Sequence, residues 1–468
     1  MKRIIAIIYI VLLCGCNFLE IDTPGIVNKD KMFENEQGFI DAMNGVYASF
    51  AKADLYGEKL SFGFIDQIAQ LYFNDYDSYD SYETVLRKTI DLKYKDPDVR
   101  AQIDAIWAAG YNAISSINSI LENASDKKFP LIPRIKAEAL TLRAFMHFDL
   151  LRLFAPNWEK KSELAIPYVT QFSISPTPRS TVEDVYNHIL QDLHDAEVLL
   201  TNAEPDKRRM PQVLFITLPA VHAIQARVYI WSGEKQKAAQ HAQEALKGNY
   251  KLTNEETMKS LFLGYLAKEE CIWGLEAPKM YFDMKRILHP SRLSESLCMV
   301  RDRYEDIYQV SSFTASNNDY RHQAFFTRIK WEHPVVMVNK FYDKAYEEFG
   351  APSGRIPGIN MLRLSELYYI LAEANYDDNR QLALEYLNKV VTGRGLLPLK
   401  MEDVSQHTHF LNRLINEINK EYWGEGQLFF TNKRFHQEMI GVNGKIHLDN
   451  AATYILPLPE DELLNGIN

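Results

Sequence analysis

The sequence contains little cysteine, with only four among 468 residues. Cys14 and Cys16 lie together near the start, so Cys271 and Cys298 are the only cysteines in the body of the chain. These two could pair in an oxidising compartment, but their spacing does not match a disulfide framework. The chain is therefore not a disulfide-stapled scaffold, and we do not predict a bridge between Cys271 and Cys298.

The sequence also lacks an excess of positive charge, since 52 Lys and Arg face 62 Asp and Glu, for a formal net charge of −10. Proteins bind nucleic acids and anionic lipid headgroups through basic patches. An acidic surface gives no electrostatic reason for either interaction. Nucleic acid is therefore not an expected partner.

Signatures of the common catalytic sites are absent as well. The sequence has no Gly-x-Ser-x-Gly elbow, no glycine-rich phosphate loop and no His-Glu-x-x-His helix. His147 lies on the apolar face of a predicted helix, and we interpret it as a hydrogen-bonded core residue rather than a base. We predict that the protein is not an enzyme and has no cofactor and no bound metal.

The apolar run near the start is too short to span a membrane. Lys2 and Arg3 precede about ten apolar residues, 4–13, whereas a membrane-spanning helix needs about 20. Cys16 follows with an apolar residue three positions before it and a glycine immediately before it, which is the bacterial lipoprotein cleavage pattern. The alternatives are an ordinary secretory signal or a short buried segment.

We therefore predict a lipoprotein signal peptide at residues 1–15 and an acylated Cys16, with 16–36 as lipid anchor and tether. The body of the protein would be residues 37–468. Buried methylene groups each contribute about 0.8 kcal/mol, so several acyl chains would anchor the protein stably. This segment alone does not determine the leaflet.

Helical periodicity dominates the body of the chain. Apolar residues recur at helical spacing in 38–51, 103–124, 135–154 and 182–200, and Ser180-Thr181-Val182-Glu183 supplies a capping box for the last of these. The pattern predicts an all-α fold with less than about 10% strand.

Two later stretches share one plan, at 220–247 and 364–391. In the first, a helix ends at Trp231 and a turn at Ser232-Gly233-Glu234 precedes a second helix; in the second, the turn is Asp377-Asp378-Asn379. Small residues at the facing positions let paired helices approach closely, and neighbouring pairs bury each other's apolar faces. This is the logic of tetratricopeptide-like helical repeats. Two unrelated helical hairpins are the alternative.

From about residue 250 to 358 the pattern changes to short aromatic runs interrupted by prolines. No long helix is predicted there. Loops inserted between regular repeats commonly carry binding residues. We therefore predict a loop-rich insertion with a binding role.

A set of motifs follows one another along these segments: Ala42 to Tyr47, Trp107 to Asn118, Ala137 to Phe154, Pro178 to Leu193 and Leu362 to Ala374. In this order they resemble the SusD/RagB family over nearly the whole chain. The resemblance implies a helical repeat fold and a surface-exposed outer-membrane lipoprotein. It also implies a SusC-like TonB-dependent transporter as partner, and capture of a glycan, or in some members a peptide, before import.

A final motif departs from the family pattern. The matching positions are Glu417, Glu421, Glu425, Gly426 and Arg434, whereas Ile418, Leu428 and Thr431 occupy positions where charged residues are common. The departure leaves the branch of the family open.

The three glutamates of that motif are spaced i, i+4 and i+8, which places them on one face of a predicted helix. Two carboxyl groups about 5–5.5 Å apart would suit a retaining glycosidase. However, a single helix face cannot flank a sugar from two sides. We instead predict a charge network to arginines such as Arg363 or Arg434.

The segment 70–83 is the most unusual part of the chain, because five aromatic residues alternate with Asn, Asp and Ser without a helical or strand period. Sugar rings pack on flat aromatic rings, and their hydroxyl groups need polar partners. The predicted ligand-binding residues are Tyr72, Asn74, Tyr76 and Tyr79, together with Tyr281 and Trp331 of the middle loops.

Other interpretations of this segment remain open. The tyrosines could simply pack the loop against the repeats or the partner. Asp75, Asp77 and Asp80 could ligate calcium, but the spacing of an EF-hand is absent. A surface glycan hydrolase and a protein-binding scaffold are the alternative functions.

Overall fold

The computed structural model describes residues 32–72, 85–203, 206, 209–262, 264–288, 298–309, 318–328, 335–441 and 446–465. The predicted signal peptide, Cys16 and most of the predicted tether lie outside these residues. All structural statements below concern the described residues.

The chain folds mainly into helices. In chain order they are α1 (Glu36–Phe50), α2 (Phe64–Ile68), α3 (Val85–Ile90), α4 (Pro97–Asn123), α5 (Ile132–Phe154), α6 (Val182–Thr201), α7 (Leu218–Trp231), α8 (Lys235–Ala245), α9 (Glu255–Leu261), α10 (Met280–Leu288), α11 (Arg301–Tyr308), α12 (Tyr320–Phe325), α13 (Lys344–Phe349), α14 (Leu364–Asn375), α15 (Arg380–Gly393), α16 (His407–Glu421), α17 (Leu428–Arg434), α18 (Ala451–Tyr454) and α19 (Glu460–Asn465).

The strands are short. They are β1 (Leu164–Pro167), β2 (Arg179–Thr181), β3 (Cys271–Glu276), β4 (Cys298–Val300), β5 (Phe326–Arg328), β6 (Val335–Val338), β7 (Gly358–Arg363), β8 (Met439–Ile440) and β9 (Ile446–His447). All the pairings are antiparallel: β1 with β2, β3 with β7, β6 between β4 and β5, and β8 with β9. Among the described residues no strand is longer than six, and the predicted all-α class is confirmed.

The predicted long helices are present, and their caps explain their limits. Thr181 caps α6 by accepting a hydrogen bond from the Asp184 N–H at 3.1 Å, so the cap lies one residue after the predicted box of Ser180 and Glu183. α4 begins at Pro97, six residues before the predicted start, because Asp96 caps it and proline is well tolerated in a first turn.

α5 lies at the centre of the N-terminal half. Nearly all its side chains are buried, and it packs against α4 and α6. Gly110 of α4 permits the close approach, because a Cβ atom there would lie 3.2 Å from Leu150 Cδ2 and 3.3 Å from Met146 Sδ.

The two predicted helical hairpins are α7/α8 and α14/α15. Gly233, with φ of +79°, forms the turn between α7 and α8. α8 packs against α14, so the hairpins are neighbours although about 120 residues separate them in the sequence. Their contact is the repeat-type packing that the sequence predicted.

The stretch Gln212–Trp231 is apolar and long enough to cross a membrane, but 61% of its most apolar window is buried inside the protein. It contains α7, which packs against α6, α8 and α14. This is the behaviour of a core helix.

The described residues of the middle region, 250–358, form short helices and short strands. Its longest described helix, α10, has nine residues. Cys271 and Cys298 are both buried here and do not form a disulfide.

Candidate functional site

Tyr72, the first predicted ligand-binding residue, lies in the core rather than on the surface. Its side chain is 0% exposed, and its ring meets the ring of Trp423 edge-on at 6.0 Å between centroids. The tyrosine therefore presents no open ring face to a ligand. Asn74, Tyr76 and Tyr79 lie outside the described residues.

The two flanks of segment 73–84 are tied together. Gln70 has a left-handed backbone, with φ of +63°, and its Nε2 donates a hydrogen bond to the Ile90 carbonyl oxygen at 2.7 Å. Ile90 closes α3, the helix that follows the segment. The described residues on the two sides of the segment are therefore hydrogen-bonded to each other.

Trp423 also supports a second segment that carries a predicted ligand residue. The ring of Phe326 in β5 packs against Trp423, with 5.6 Å between centroids. β5 leads into residues 329–334, which contain Trp331 and lie outside the described residues. Tyr72 and Phe326, which precede the segments that contain Tyr76 and Trp331, thus both pack against Trp423.

Neither Tyr72 Oη nor Trp423 Nε1 has a hydrogen-bond partner among the described residues, although both atoms are buried. A buried donor without a partner is costly, and native proteins normally satisfy it with protein or water. Both groups therefore remain available to a water molecule or to a polar group outside the described residues.

Tyr281 belongs to a cluster of four aromatic side chains, the Tyr281 cluster: Tyr281, Phe282, Tyr342 and Tyr346. The Tyr281 ring stacks on Tyr342 at 5.8 Å between centroids and lies 4.6 Å from Tyr346. Tyr281 itself is 6% exposed, whereas Phe282 is 63% exposed and the other two are half-buried. The ring open to solvent is therefore Phe282.

Sequence reasoning missed Phe282, Tyr342 and Tyr346. α10 is amphipathic, with Tyr281 and Met284 on its buried face. Phe282 lies on the opposite, solvent-facing side of this helix, where an apolar ring is not stabilised by burial. A large aromatic residue at such a position was the sequence signal for a binding residue.

The Tyr281 cluster is joined to the Trp423 region through Phe341. This residue has φ of +78° and precedes Tyr342. Its ring packs so closely on Gly424 that a Cβ atom at that glycine would lie 2.3 Å from Phe341 Cε2. Gly424 has φ of +76°, so both its backbone and its surroundings favour glycine. Residues 422–426, which we call the 422–426 turn, thus contact Tyr72, Phe326 and Phe341. These three residues belong to, or directly precede, the three aromatic segments that carry the predicted ligand residues.

A buried ion network holds the 422–426 turn in place. Arg363 contacts Glu421 at 2.6 Å and Glu425 at 2.8 Å, and Arg394 contacts Glu270 at 2.7 Å. Lys340 Nζ contacts Glu425 Oε1 at 2.5 Å. Because Lys340 directly precedes Phe341, this ion pair fixes the Tyr281 cluster relative to the turn.

The network shifts the titration of its members. Burial alone would raise the pKa of Glu421, but Arg394 and Arg363 outweigh burial and hold this pKa well below 4.5. Burial lowers the pKa of Lys340 to about 8, against the attraction of Glu425.

The predicted charge network is therefore present, with two corrections. Glu425 does not lie on the helix face, because α16 ends at Glu421 and the chain turns at Gly424. Arg434 does not join the three glutamates; it binds Glu373 through two hydrogen bonds of 2.5 and 2.7 Å. Glu417 and Glu421 are 0% exposed, so neither carboxylate can approach a sugar in this structure.

His147 is a core residue with both ring nitrogens hydrogen-bonded, as its sequence position predicted. Nδ1 donates to the Arg143 carbonyl oxygen at 2.9 Å, and Nε2 accepts from the Val169 N–H at 3.0 Å. Burial lowers its pKa from 6.5 to about 3, so the ring stays neutral near pH 7.

Comparisons with known proteins agree on one family. Residues 18–230 match a family described as starch-binding and associating with the outer membrane, and residues 327–463 match the SusD family. A SusD-like protein, P2, of Formosa agariphila is 24% identical over 521 aligned positions that cover 100% of this chain and 98% of that protein.

Solved structures share the fold. A SusD superfamily protein of Bacteroides thetaiotaomicron superposes with a TM-score of 0.73 and 22% identity, covering 93% of this chain and 98% of the other. A SusD-like carbohydrate binding protein of Bacteroides vulgatus gives 0.73 and 20%, covering 92% and 96%.

Proposed function

Because the chain belongs to the SusD/RagB family, we propose that it captures a nutrient ligand, in the first instance a glycan, at the cell surface. In this proposal, the protein is held in the outer membrane through acylated Cys16 and passes the ligand to a SusC-like TonB-dependent transporter. Relatives described as starch-binding or carbohydrate-binding support a glycan ligand.

The observation that carries the proposal is the convergence of three aromatic segments on the 422–426 turn. Tyr72 and Phe326 pack on Trp423, and Phe341 packs on Gly424. Of the residues predicted to contact ligand, Asn74, Tyr76 and Tyr79 follow Tyr72 in the sequence and Trp331 follows Phe326. Tyr281 belongs to the Tyr281 cluster. A ligand face built from these segments therefore has one common support.

In this proposed site, the buried rings and the exposed rings have different roles. Tyr72 and Tyr281 are buried and act as supports, and Phe282 offers an exposed ring face. Tyr76 and Trp331 would add further flat apolar faces. Asn74 and the neighbouring aspartates supply hydrogen-bond partners for hydroxyl groups. Flat rings beside amide and carboxylate groups form the combination that a sugar surface requires.

Binding measurements with ring-deletion variants test the site. A panel of oligosaccharides and a panel of peptides are first screened against the purified protein, and the tightest binder is used for calorimetry. Phe282→Ala, Tyr76→Ala, Tyr79→Ala and Trp331→Ala should each weaken binding about tenfold or more, since one stacked ring contributes about 1–3 kcal/mol. The melting temperature should stay nearly unchanged.

Phe172→Ala is the matched control, because Phe172 is 46% exposed and lies in the N-terminal half, before β2. It should bind with wild-type affinity. Wild-type affinity in all four site variants would refute this location of the site. If a peptide were the tightest binder, the proposed ligand would be a peptide and not a glycan. If the protein released reducing sugar ends from a glycan, the proposed function would be hydrolysis and not capture.

The proposed transporter is tested by purification of the protein from its native outer membrane under mild detergent. A SusC-like β-barrel receptor should copurify in stoichiometric amount. Its absence, with the protein otherwise intact in the membrane fraction, would contradict delivery to that partner.

A further inference from the structure

Outside the ligand face, two histidines, a glutamate and a glutamine meet between three helices. Glu197 lies on α6, His222 and Gln225 lie on α7, and His241 lies on α8. The ring nitrogens and a carboxylate oxygen of Glu197, His222 and His241 all lie within 4.8 Å of one another. Their positions are spread over 45 residues of sequence, so no local motif announces them.

The spacing of the two histidines suits a single ion. His222 Nδ1 and His241 Nδ1 lie 3.1 Å apart. An ion bound to both at the usual zinc–nitrogen distance of about 2.05 Å would subtend an angle of about 98° between them, close to tetrahedral geometry. The helices therefore already hold the two rings at a bridging distance.

The hydrogen-bonding pattern around His222 also favours a cation. Its Nδ1 lies 3.1 Å from His241 Nδ1 and 3.1 Å from Gln225 Oε1, and the amide oxygen can only accept. A neutral imidazole nitrogen carries at most one hydrogen, which cannot serve both neighbours well. A cation among them would instead engage the lone pairs of both ring nitrogens.

A carboxylate completes the set and is held toward it. Gln225 Nε2 donates to Glu197 Oε2 at 2.8 Å, the kind of outer hydrogen bond that orients a metal ligand. Ligands of a tetrahedral ion lie about 3.4 Å apart, so a shift of up to about 1.4 Å in the half-buried Glu197 side chain would complete the set. His222 is 7% exposed, whereas Glu197 and His241 are half-buried, which leaves an entry path from solvent.

From this arrangement we propose that Glu197, His222 and His241 bind one divalent transition-metal ion of the zinc class, with the fourth position open to water or Gln225. Two imidazoles and one carboxylate suit zinc, nickel or copper, whereas calcium and magnesium prefer oxygen ligands alone. The bound ion would cross-link α6, α7 and α8 at the first repeat hairpin. The site shares no residue with the proposed ligand face.

The test uses the full-length chain purified in detergent without a polyhistidine tag and stripped with EDTA. Titration with zinc chloride in a calorimeter should show one ion per chain, and cobalt(II) should give the visible absorption of a low-symmetry site. Zinc at about 100 times its Kd should raise the melting temperature by about 2–5 °C.

His222→Ala and His241→Ala should each weaken zinc binding at least about 100-fold, and Gln225→Ala about tenfold. His241→Asn, at a half-buried position, provides a milder variant, and circular dichroism checks that each variant is folded. His194→Ala is the matched control, because His194 is exposed on α6 three residues before Glu197. It should bind zinc as the wild type does.

Three results would overturn the proposal. The first is no stoichiometric zinc after gel filtration of the zinc-treated wild type. The second is wild-type affinity in folded His222→Ala and His241→Asn. The third is calcium or magnesium binding at these residues as tightly as zinc.

Discussion

Replacing Glu421 by glutamine tests whether the buried ion network stabilises the support beneath the proposed ligand face. Glu421 Oε1 accepts hydrogen bonds from Arg363 at 2.6 Å and Arg394 at 2.5 Å, and its Oε2 accepts a second bond from Arg394 at 3.0 Å. Arg321 lies 3.3 Å from the same Oε2. One carboxylate therefore faces three guanidinium groups in the core.

The size of the effect follows from the charge balance of the network. Its nearly fully buried members are five cations and five anions: Arg321, Lys340, Arg363, Arg394 and Lys420, with Glu270, Asp319, Glu417, Glu421 and Glu425. Glu421→Gln leaves one uncompensated positive charge and turns an amide NH₂ toward guanidinium donors. Breaking a buried ion pair in this way costs about 3–5 kcal/mol, so we expect a loss of that size.

Urea unfolding followed by circular dichroism measures the free energy of unfolding of both proteins at pH 7. The matched control is Glu183→Gln. Glu183 forms an ion pair with Lys161 at 2.6 Å, but the two side chains are 43% and 48% exposed. An exposed pair contributes about 0–1 kcal/mol, so the control should change stability by less than about 1 kcal/mol.

The pH dependence of the same experiment has a defined sign. The folded protein holds the pKa of Glu421 well below 4.5, so this carboxylate stabilises the fold above about pH 4.5. That contribution is lost as the pH falls through the folded pKa. The stability difference between wild type and variant should therefore narrow on acidification. A difference below about 1 kcal/mol at pH 7, or one that widens toward pH 3, would refute the reasoning.

Two further predictions concern the anchor and the core. Cys16→Ala should remove the acylation site and release the protein from the outer membrane, and unchanged membrane fractionation of the variant would contradict the lipoprotein assignment. His147 has a folded pKa of about 3 against 6.5 unfolded, so its neutral form stabilises the fold above about pH 6.5, and this contribution falls as the pH drops toward 3. Between pH 6.5 and 5, the free energy of unfolding of His147→Gln should therefore fall less steeply than that of the wild type, by up to about 1.4 kcal/mol per pH unit. Urea titrations at several pH values measure both free energies. Equal dependence on pH in the two proteins would show that this ring does not control the acid response.

The helices could be predicted because their signals are local. Apolar residues at helical spacing locate α5, and Gly233 locates the turn between α7 and α8. The predicted capping box of Ser180 and Glu183 locates the start of α6 to within one residue, since the cap is Thr181. The late start assigned to α4 shows the limit of periodicity: Asp96 and Pro97 were local signals too, but the apolar pattern alone did not include them. Boundaries depend on caps more than on the buried face.

The burial of the candidate site residues could not be predicted, because it depends on distant parts of the chain. Tyr72 is buried by Trp423, which lies 351 residues later, and segment 70–83 has no period from which an inner face could be inferred. Glu425 seemed to continue the face of α16 because the spacing i+8 carries no information about where a helix ends. Gly424 was the local signal for that end.

The ion network and the aromatic segments can be joined in one argument about recognition. Ordering a binding loop costs conformational entropy. If the loop becomes ordered only when ligand binds, this entropy loss weakens binding, whereas a loop already ordered in the folded protein avoids the loss. Lys340 and Glu425 hold Phe341 against Gly424, and the same turn presents Trp423 to the flanks of the two other segments. The nearly fully buried members of the network balance in charge, and salt screens such buried pairs less than exposed ones. In the proposed function, a support of this kind would keep the described flanks of each segment fixed, so that ligand preference could change with the residues of the segments and without any change in the core beneath their flanks.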